Sequence, residues 1–219
     1  MSDLEALAAE IAACRICVDA PAAKPLPHDP RPVVRLSASA RICVCGQAPG
    51  TRVHKSGIPF SDPSGDRLRD WMGIDKETFY DTSRISIVPM GFCFPGLDAK
   101  GGDLPPRREC VKAWHDRIFT AMPQSGPKSG PKSEPKSGPK SRLILVIGQY
   151  AQAYHLGSQR RKTLTETVRA WREYRDGGNG LVRMALPHPS WRNTGWLRKN
   201  PWFETELLPV LREEVAQRL

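Results

Sequence analysis

Arg142-Leu143-Ile144-Leu145-Val146-Ile147-Gly148 decides the fold. Its apolar residues follow one another without a polar face for water, and Ile144, Val146 and Ile147 are β-branched. The run therefore predicts a strand covered on both sides, as at the centre of a parallel sheet. Upstream, Arg41-Ile42-Cys43-Val44-Cys45-Gly46 is a second short apolar run that stops at a glycine, and Arg84 to Val88 is a third; downstream, Gly180 to Leu186 is a fourth. Helical periodicity fills the intervals. Leu68, Trp71 and Met72 fall within Gly65 to Met72, and Val111, Trp114, Ile118 and Phe119 recur within Arg107 to Met122. Residues 2 to 14 read as a helix, with Ser2 as N-cap, Glu5 completing a capping box, and Leu4, Leu7, Ala8 and Ile11 on one face. A last helix is expected over Glu204 to Leu219. Strands alternating with helices predict βαβ units, hence a three-layer α/β/α sandwich around a central, mainly parallel four-stranded sheet.

A chain of 219 residues suits one domain with an insertion, and 1–219 is read as that single domain. The insertion is 125–141, a Ser-Gly-Pro-Lys repeat without an apolar side chain, which predicts an extended surface loop inclined to polyproline II. Val18 to Ala40 carries Pro21, Pro25, Pro27, Pro30 and Pro32 without periodicity, and predicts an arm wrapped over the surface. Lys plus Arg number 33 against 23 Asp plus Glu, and a net charge of +10 favours an anionic partner. The longest apolar runs fall far short of the roughly 20 residues that cross a bilayer. Asp3, Glu5 and Glu10 stand where an export signal would be basic. No membrane association and a cytoplasmic location are therefore expected, with the six cysteines reduced or bound to metal.

Three distant features fit one site. Gly46-Gln47-Ala48-Pro49-Gly50 follows the first strand and leads to Gly57-Ile58-Pro59-Phe60, while Leu186-Pro187-His188-Pro189-Ser190 follows the last strand. Strands of a parallel sheet end along one edge, so the Gln47 and His188 loops can face a common cleft. Of the five histidines, His188 alone lies between two prolines directly after a strand, where the restricted backbone fixes the direction of its ring. The third feature is Cys14-x-x-Cys17 with Cys93 in Gly-Phe-Cys-Phe-Pro and Cys110 in Arg-Arg-Glu-Cys. CxxC alone suits zinc, a redox pair or a cluster. Cys43 and Cys45 lie on a strand and are expected as buried core thiols.

Taken in order, these elements resemble the uracil-DNA glycosylase superfamily, and specifically its iron-sulfur branches, families 4 and 5. The resemblance covers most of the chain. It rests on the CxxC start, the GQAPG loop, the GxPF element, the strand leading to Cys93 and the Glu109-Cys110 helix start. To these it adds the apolar strand ending in Gly148 followed by Ala151, and the His188-Pro189 loop. It implies a monofunctional glycosylase that hydrolyses the N-glycosidic bond of deoxyuridine in DNA, leaves an abasic site and initiates base excision repair. The implied partner is uracil-containing DNA, the implied state a monomer, and the implied cofactor a structural [4Fe-4S] cluster on Cys14, Cys17, Cys93 and Cys110. Zinc, or no metal, stays open as the alternative at those thiols.

An enzyme of this kind extrudes the base and holds it against a ring. Phe60 resembles that stacking ring, with an ordinary core aromatic as the alternative, and Gly46, Ala48, Pro49 and Gly50 would line the pocket. His188 would donate to the pyrimidine O2 as charge develops on the leaving base. Two departures matter. Relatives carry Glu where Gln47 stands or Asp where Ala48 stands, so Gln47 can orient a water but takes no proton. The nearest carboxylate is Asp62, which either activates water or caps the next helix. Where many relatives place an Asn that reads the uracil edge, this chain has Pro89, which leaves main-chain groups near Met90 and Gly91, or a tolerance of other damaged bases. After His188, Ser190, Trp191, Arg192 and Asn193 suit DNA contact, with Trp191 and Arg192 as wedge candidates unless the tryptophans only cover the last helix. A catalytically silent DNA-binding module is the reading from another class. The cross-linking branch is disfavoured, because the stretch before Cys110 has no histidine.

Overall fold

The computed structural model describes residues 3–122, 142–175 and 181–219. The Ser2 cap and the 125–141 loop lie outside the described residues. Four strands, β1 (Ile42–Cys45), β2 (Ile85–Ile87), β3 (Arg142–Ile147) and β4 (Leu181–Leu186), form one sheet in the order β2-β1-β3-β4. Every pairing is parallel, with Ile42 opposite Ile85 and Leu143, and Ile147 opposite Leu186. Strand alternation sends Ile42, Val44, Leu143, Leu145 and Ile147 to one face and Cys43, Cys45, Ile144 and Val146 to the other.

Each face has its own helical layer. On the first, α4 (Pro63–Met72), α5 (Lys76–Tyr80), α9 (Leu164–Arg169), α10 (Trp171–Arg175) and α12 (Leu208–Ala216) bring Leu68, Trp71, Phe79, Val168, Trp171 and Leu211 against the sheet. On the second lie α1 (Asp3–Ala12), α7 (Asp116–Ala121) and α8 (Gly148–Leu156), with Leu7, Ile11, Ile118 and Ala151 buried. Each Leu, Ile, Val or Phe side chain among them contributes roughly 1.5–3 kcal/mol on burial. The result is the expected three-layer α/β/α sandwich with a fully parallel sheet. Short helices α2 (Ile16–Asp19), α3 (Thr51–Ser56), α6 (Arg108–Cys110) and α11 (Thr194–Lys199) complete the described elements, and none of the described helices is long and apolar enough to cross a membrane.

Local chemistry sets these boundaries. Asp62 caps α4, Pro63 fits its first turn, and Gly73 ends it in the left-handed region (φ 69°). Thr163 and Glu166 form a reciprocal capping box on α9. The helix expected as continuous from Arg107 to Met122 winds through a π-turn at Val111–His115, and the C-terminal helix begins with another at Phe203–Leu207. The proline arm lies on the surface: Arg35 and Ile87 exchange both main-chain hydrogen bonds (2.9 and 2.8 Å), and the Val33 N–H donates to the Phe92 carbonyl (2.7 Å).

Behind the second face, His115 stacks on Phe92 (5.5 Å) and meets Tyr154, which in turn contacts His155. Burial pushes His115 down to about 4 and His155 down to about 3; for His155 the nearby His115 and Arg183 add to this. Both rings are neutral in the fold at neutral pH but charge in the unfolded chain below about 6.5. Folding stability is therefore complete above pH 6.5 and is lost as pH falls toward 4. At pH 5 the loss is about 1–2 kcal/mol per histidine. Melting temperatures at pH 7.5, 6 and 5 should fall by several degrees, and His115→Phe should flatten the slope. A pH-independent melting temperature would contradict this.

Candidate active site

The carboxyl ends of all four strands open on one cavity of about 860 Å3. Gly46 and Gln47 follow β1, Pro89 follows β2, Gly148 and Gln149 follow β3, and His188 follows β4, all on its wall. Of the expected site residues, Gly46, Gln47, Ala48, Pro49, Gly50, Phe60, Asp62, His188, Ser190, Trp191, Arg192 and Asn193 line it together. Met90 and Gly91 do not. Their N–H groups donate to the carbonyls of Gly46 (3.0 Å) and Gln47 (2.9 Å), Met90 is buried, and Gly91 packs on Pro106 and Arg107. The main-chain groups expected to read a base therefore stand off the cavity wall, and their N–H donors hold the Gln47 loop in place instead.

His188 has a defined protonation. The Ser190 N–H donates to its Nδ1 (3.2 Å), so Nδ1 is an acceptor and the ring proton sits on Nε2. Burial lowers its pKa from the usual histidine value; Asp62 opposes this and Arg192 adds to it. The imidazole is thus neutral and offers Nε2–H as a donor. Asn193 Nδ2 donates to the His188 carbonyl (2.7 Å), and Arg67 from α4 donates to the Ser190 carbonyl (3.0 Å). Gly148, next to His188, stands at φ 77°, a left-handed conformation that favours glycine, and a Cβ there would make only ordinary contact with the His188 Cβ (3.7 Å).

Phe60 is the only non-glycine among the described residues with positive φ (54°), a conformation that costs on the order of 1–3 kcal/mol. Its neighbours hold it there. Tyr80 Oη–H donates to the carbonyls of Pro59 (2.9 Å) and Phe60 (3.2 Å), and Arg69 donates to that of Phe60 (3.3 Å). The ring meets Phe79 edge-on at 5.9 Å and lies over Gly46, where a Cβ would come within 3.2 Å of Cζ. It belongs to the core margin and the cavity wall at once.

Asp62 acts as the helix cap: Oδ1 accepts from the Gly65 N–H (3.1 Å) and Oδ2 from the Ser64 hydroxyl (3.0 Å). Trp191 is 76 % exposed at the cavity mouth with Arg192 over its ring at 5.8 Å, whereas Trp196 and Trp202 pack on the core. The four cysteines of the third feature come together away from the cavity. Cys110 lowers the pKa of the Cys17 thiol, and Cys17 and Cys14 add to the burial that raises that of Cys93. The Cys17 thiol is lowered to about 7, first by Cys110 and further by Arg107, against burial and Glu109. Among the described residues, no three His, Cys, Asp or Glu are spaced for a single metal ion. Cys43 and Cys45 are buried, 3.6 Å apart.

The missed contributors are Arg67, Arg69 and Tyr80, whose signal is only tertiary, and Asp103, on the cavity wall from the loop before Cys110. A ring, an amide and a neutral imidazole thus gather at the carboxyl edge of a parallel sheet, beside an exposed Trp-Arg pair. Residues 34–128 and 137–212 match the Uracil DNA glycosylase superfamily, and the chain belongs to that superfamily. Its general chemistry is that of a DNA-repair glycosylase, a hydrolase.

Proposed function

We propose that this glycosylase removes uracil from DNA, leaving an abasic site, as a monofunctional enzyme that initiates base excision repair. The single observation that carries the reading is the His188 tautomer. Departure of uracil places negative charge on O2, and a neutral Nε2–H donor strengthens its hydrogen bond as that charge grows, without giving up a proton. Phe60 stacks on the extruded base, and Gly46, Ala48, Pro49 and Gly50 shape the pocket. Gln47 orients the attacking water through its amide. Ser190 to Asn193 contact the backbone, with Trp191 filling the gap the base leaves. The enzyme acts as a monomer in the cytoplasm, a compartment that suits six cysteines held out of disulfides.

The test is excision from single- and double-stranded oligonucleotides carrying uracil, thymine, hypoxanthine or other damaged bases. Uracil release is expected, and binding without turnover would leave a silent module. Pro89 on the cavity wall favours a second reading, broader base specificity, since it offers no side-chain hydrogen bond to tell bases apart.

We also propose a structural [4Fe-4S] cluster on Cys14, Cys17, Cys93 and Cys110. The donor set fits: four thiols converge from separate elements, and Arg107 beside Cys17 favours its thiolate. Such a cluster carries one thiolate on each of four irons, so its ligands stand farther apart than around one ion. Anaerobically purified protein should be brown and contain iron, and Cys17→Ala should lose both colour and thermal stability. Colourless, iron-free wild-type protein would refute this.

A further inference from the structure

Water attack on the sugar carbon needs a group to take the water's proton, and the Gly46–Gly50 loop holds no carboxylate. Among the described residues lining the cavity, the only carboxylates are Asp62 and Asp103. Both oxygens of Asp62 already accept hydrogen bonds that start α4. Asp103 differs: no hydrogen bond or ion pair among the described residues engages its carboxylate, and its Oδ2 lies 3.4 Å from where a Gly50 Cβ would stand, against the end of the Gln47 loop. We propose that Asp103 is the general base that deprotonates the attacking water, an assignment that rests on the glycosylase reading above.

The segment around it is built to hold one position. Leu97 and Asp103 form an antiparallel bridge, closed by Asp98 N–H to the Gly102 carbonyl (2.7 Å) and Leu104 N–H to the Gly96 carbonyl (2.9 Å). The Asp98 carboxylate accepts from the N–H groups of Lys100 and Gly102 (2.8 Å each), and Gly101 makes the turn at φ 75°. This hairpin is anchored to the chain that supports the Gln47 loop, because Pro106 and Arg107 pack on Gly91. Partial burial raises the Asp103 carboxyl above the usual carboxylate range; Arg192 opposes this, while Asp62 and Asp98 add to it. A carboxylate that no hydrogen bond engages and that two neighbouring carboxylates push upward is a stronger base than one that caps a helix.

The step balances. As the bond from the sugar C1′ to N1 breaks, its electron pair leaves with uracil, whose O2 is met by the His188 Nε2–H. Water oxygen bonds to C1′, and one water proton passes to Asp103 and from there to solvent. Gln47 orients this water, and Asp103 takes its proton.

The experiment uses the full chain in single-turnover excision, on whichever base of the oligonucleotide panel it removes fastest. Asp103→Asn should slow excision by about 10²-fold with DNA affinity and melting temperature near wild type. Asp103→Ala should be equally slow and should regain rate in proportion to added formate, which can enter the vacated space as a base, while formate should do nothing for His188→Ala. Wild-type rates in Asp103→Asn, a larger loss in Asp62→Asn than in Asp103→Asn, or slow Asp103→Ala that formate never rescues would each overturn the assignment alone. A wild-type chain that removes no base from the panel would overturn the glycosylase reading, and this assignment with it.

Discussion

Replacing His188 with alanine is expected to slow single-turnover excision by about 10²–10³-fold, the usual effect of deleting one donor aimed at developing negative charge. The loss should lie in the chemical step and not in binding, because the ground-state carbonyl oxygen accepts only a modest hydrogen bond from a neutral imidazole. The Ser190 N–H leaves Nε2 as the donor, and Asn193 and Arg67 fix the loop that aims it. Because the ring is held neutral by burial, activity should also decline at acid pH, once Nδ1 gains a proton and clashes with the Ser190 donor. An unchanged rate in His188→Ala, with DNA affinity retained, would remove His188 from the chemistry.

The second large effect belongs to a residue that touches no substrate. A Cβ on Gly65 would stand 1.8 Å from the Phe60 carbonyl oxygen and 2.6 Å from its carbon, both backbone atoms that cannot turn aside. Gly65→Ala must therefore displace the Phe60 segment from the conformation that Tyr80 and Arg69 hold. Overpacking of this kind costs about 1–3 kcal/mol, which at about 2–4 °C per kcal/mol for a chain of this size means a melting temperature lower by several degrees. Excision should fall by at least 10-fold, since the ring moves off Gly46 and out of its place on the cavity wall. Thermal melting and single-turnover rates of this variant test both halves, and a wild-type rate would mean that the placement of Phe60 is not needed.

The strands were readable because a parallel sheet buried on both faces leaves uninterrupted apolar runs, and glycines or polar residues mark their ends. The observed boundaries lie within one residue of those expected from Arg41, Arg84, Arg142 and Gly180. Helices α3, α5 and α11 are one or two turns long, too short for periodicity to register, and the π-turns at Val111–His115 and Phe203–Leu207 leave little trace in an apolar pattern. The capping box at Thr163 and Glu166 that starts α9 is a pattern present in the sequence that the helix expectations above did not include. Much of the site was legible as well, because loops after parallel strands must share an edge. Main-chain hydrogen bonding was not: no side-chain pattern tells that the N–H groups of Met90 and Gly91 are already spent on the Gln47 loop. Asp103 lacked any signal for a related reason, since a lone Asp between glycine and leucine acquires meaning only when the hairpin carries it to the cavity.

The exchange of main-chain hydrogen bonds between Arg35 and Ile87 has a consequence for the molecule among its own copies. β2 is the outermost strand on its side of the sheet and has only three residues, yet an outermost strand is the ordinary template for pairing with another chain. Arg35 occupies the Ile87 groups that a foreign strand would seek, and the Ser37 N–H takes the adjoining Ser86 hydroxyl (3.1 Å). Pro30 and Pro32, just before these contacts, have no N–H to offer and cannot extend the ladder outward. The arm thus works as a selvedge: it finishes the sheet on that border and leaves a neighbouring molecule no thread to pull.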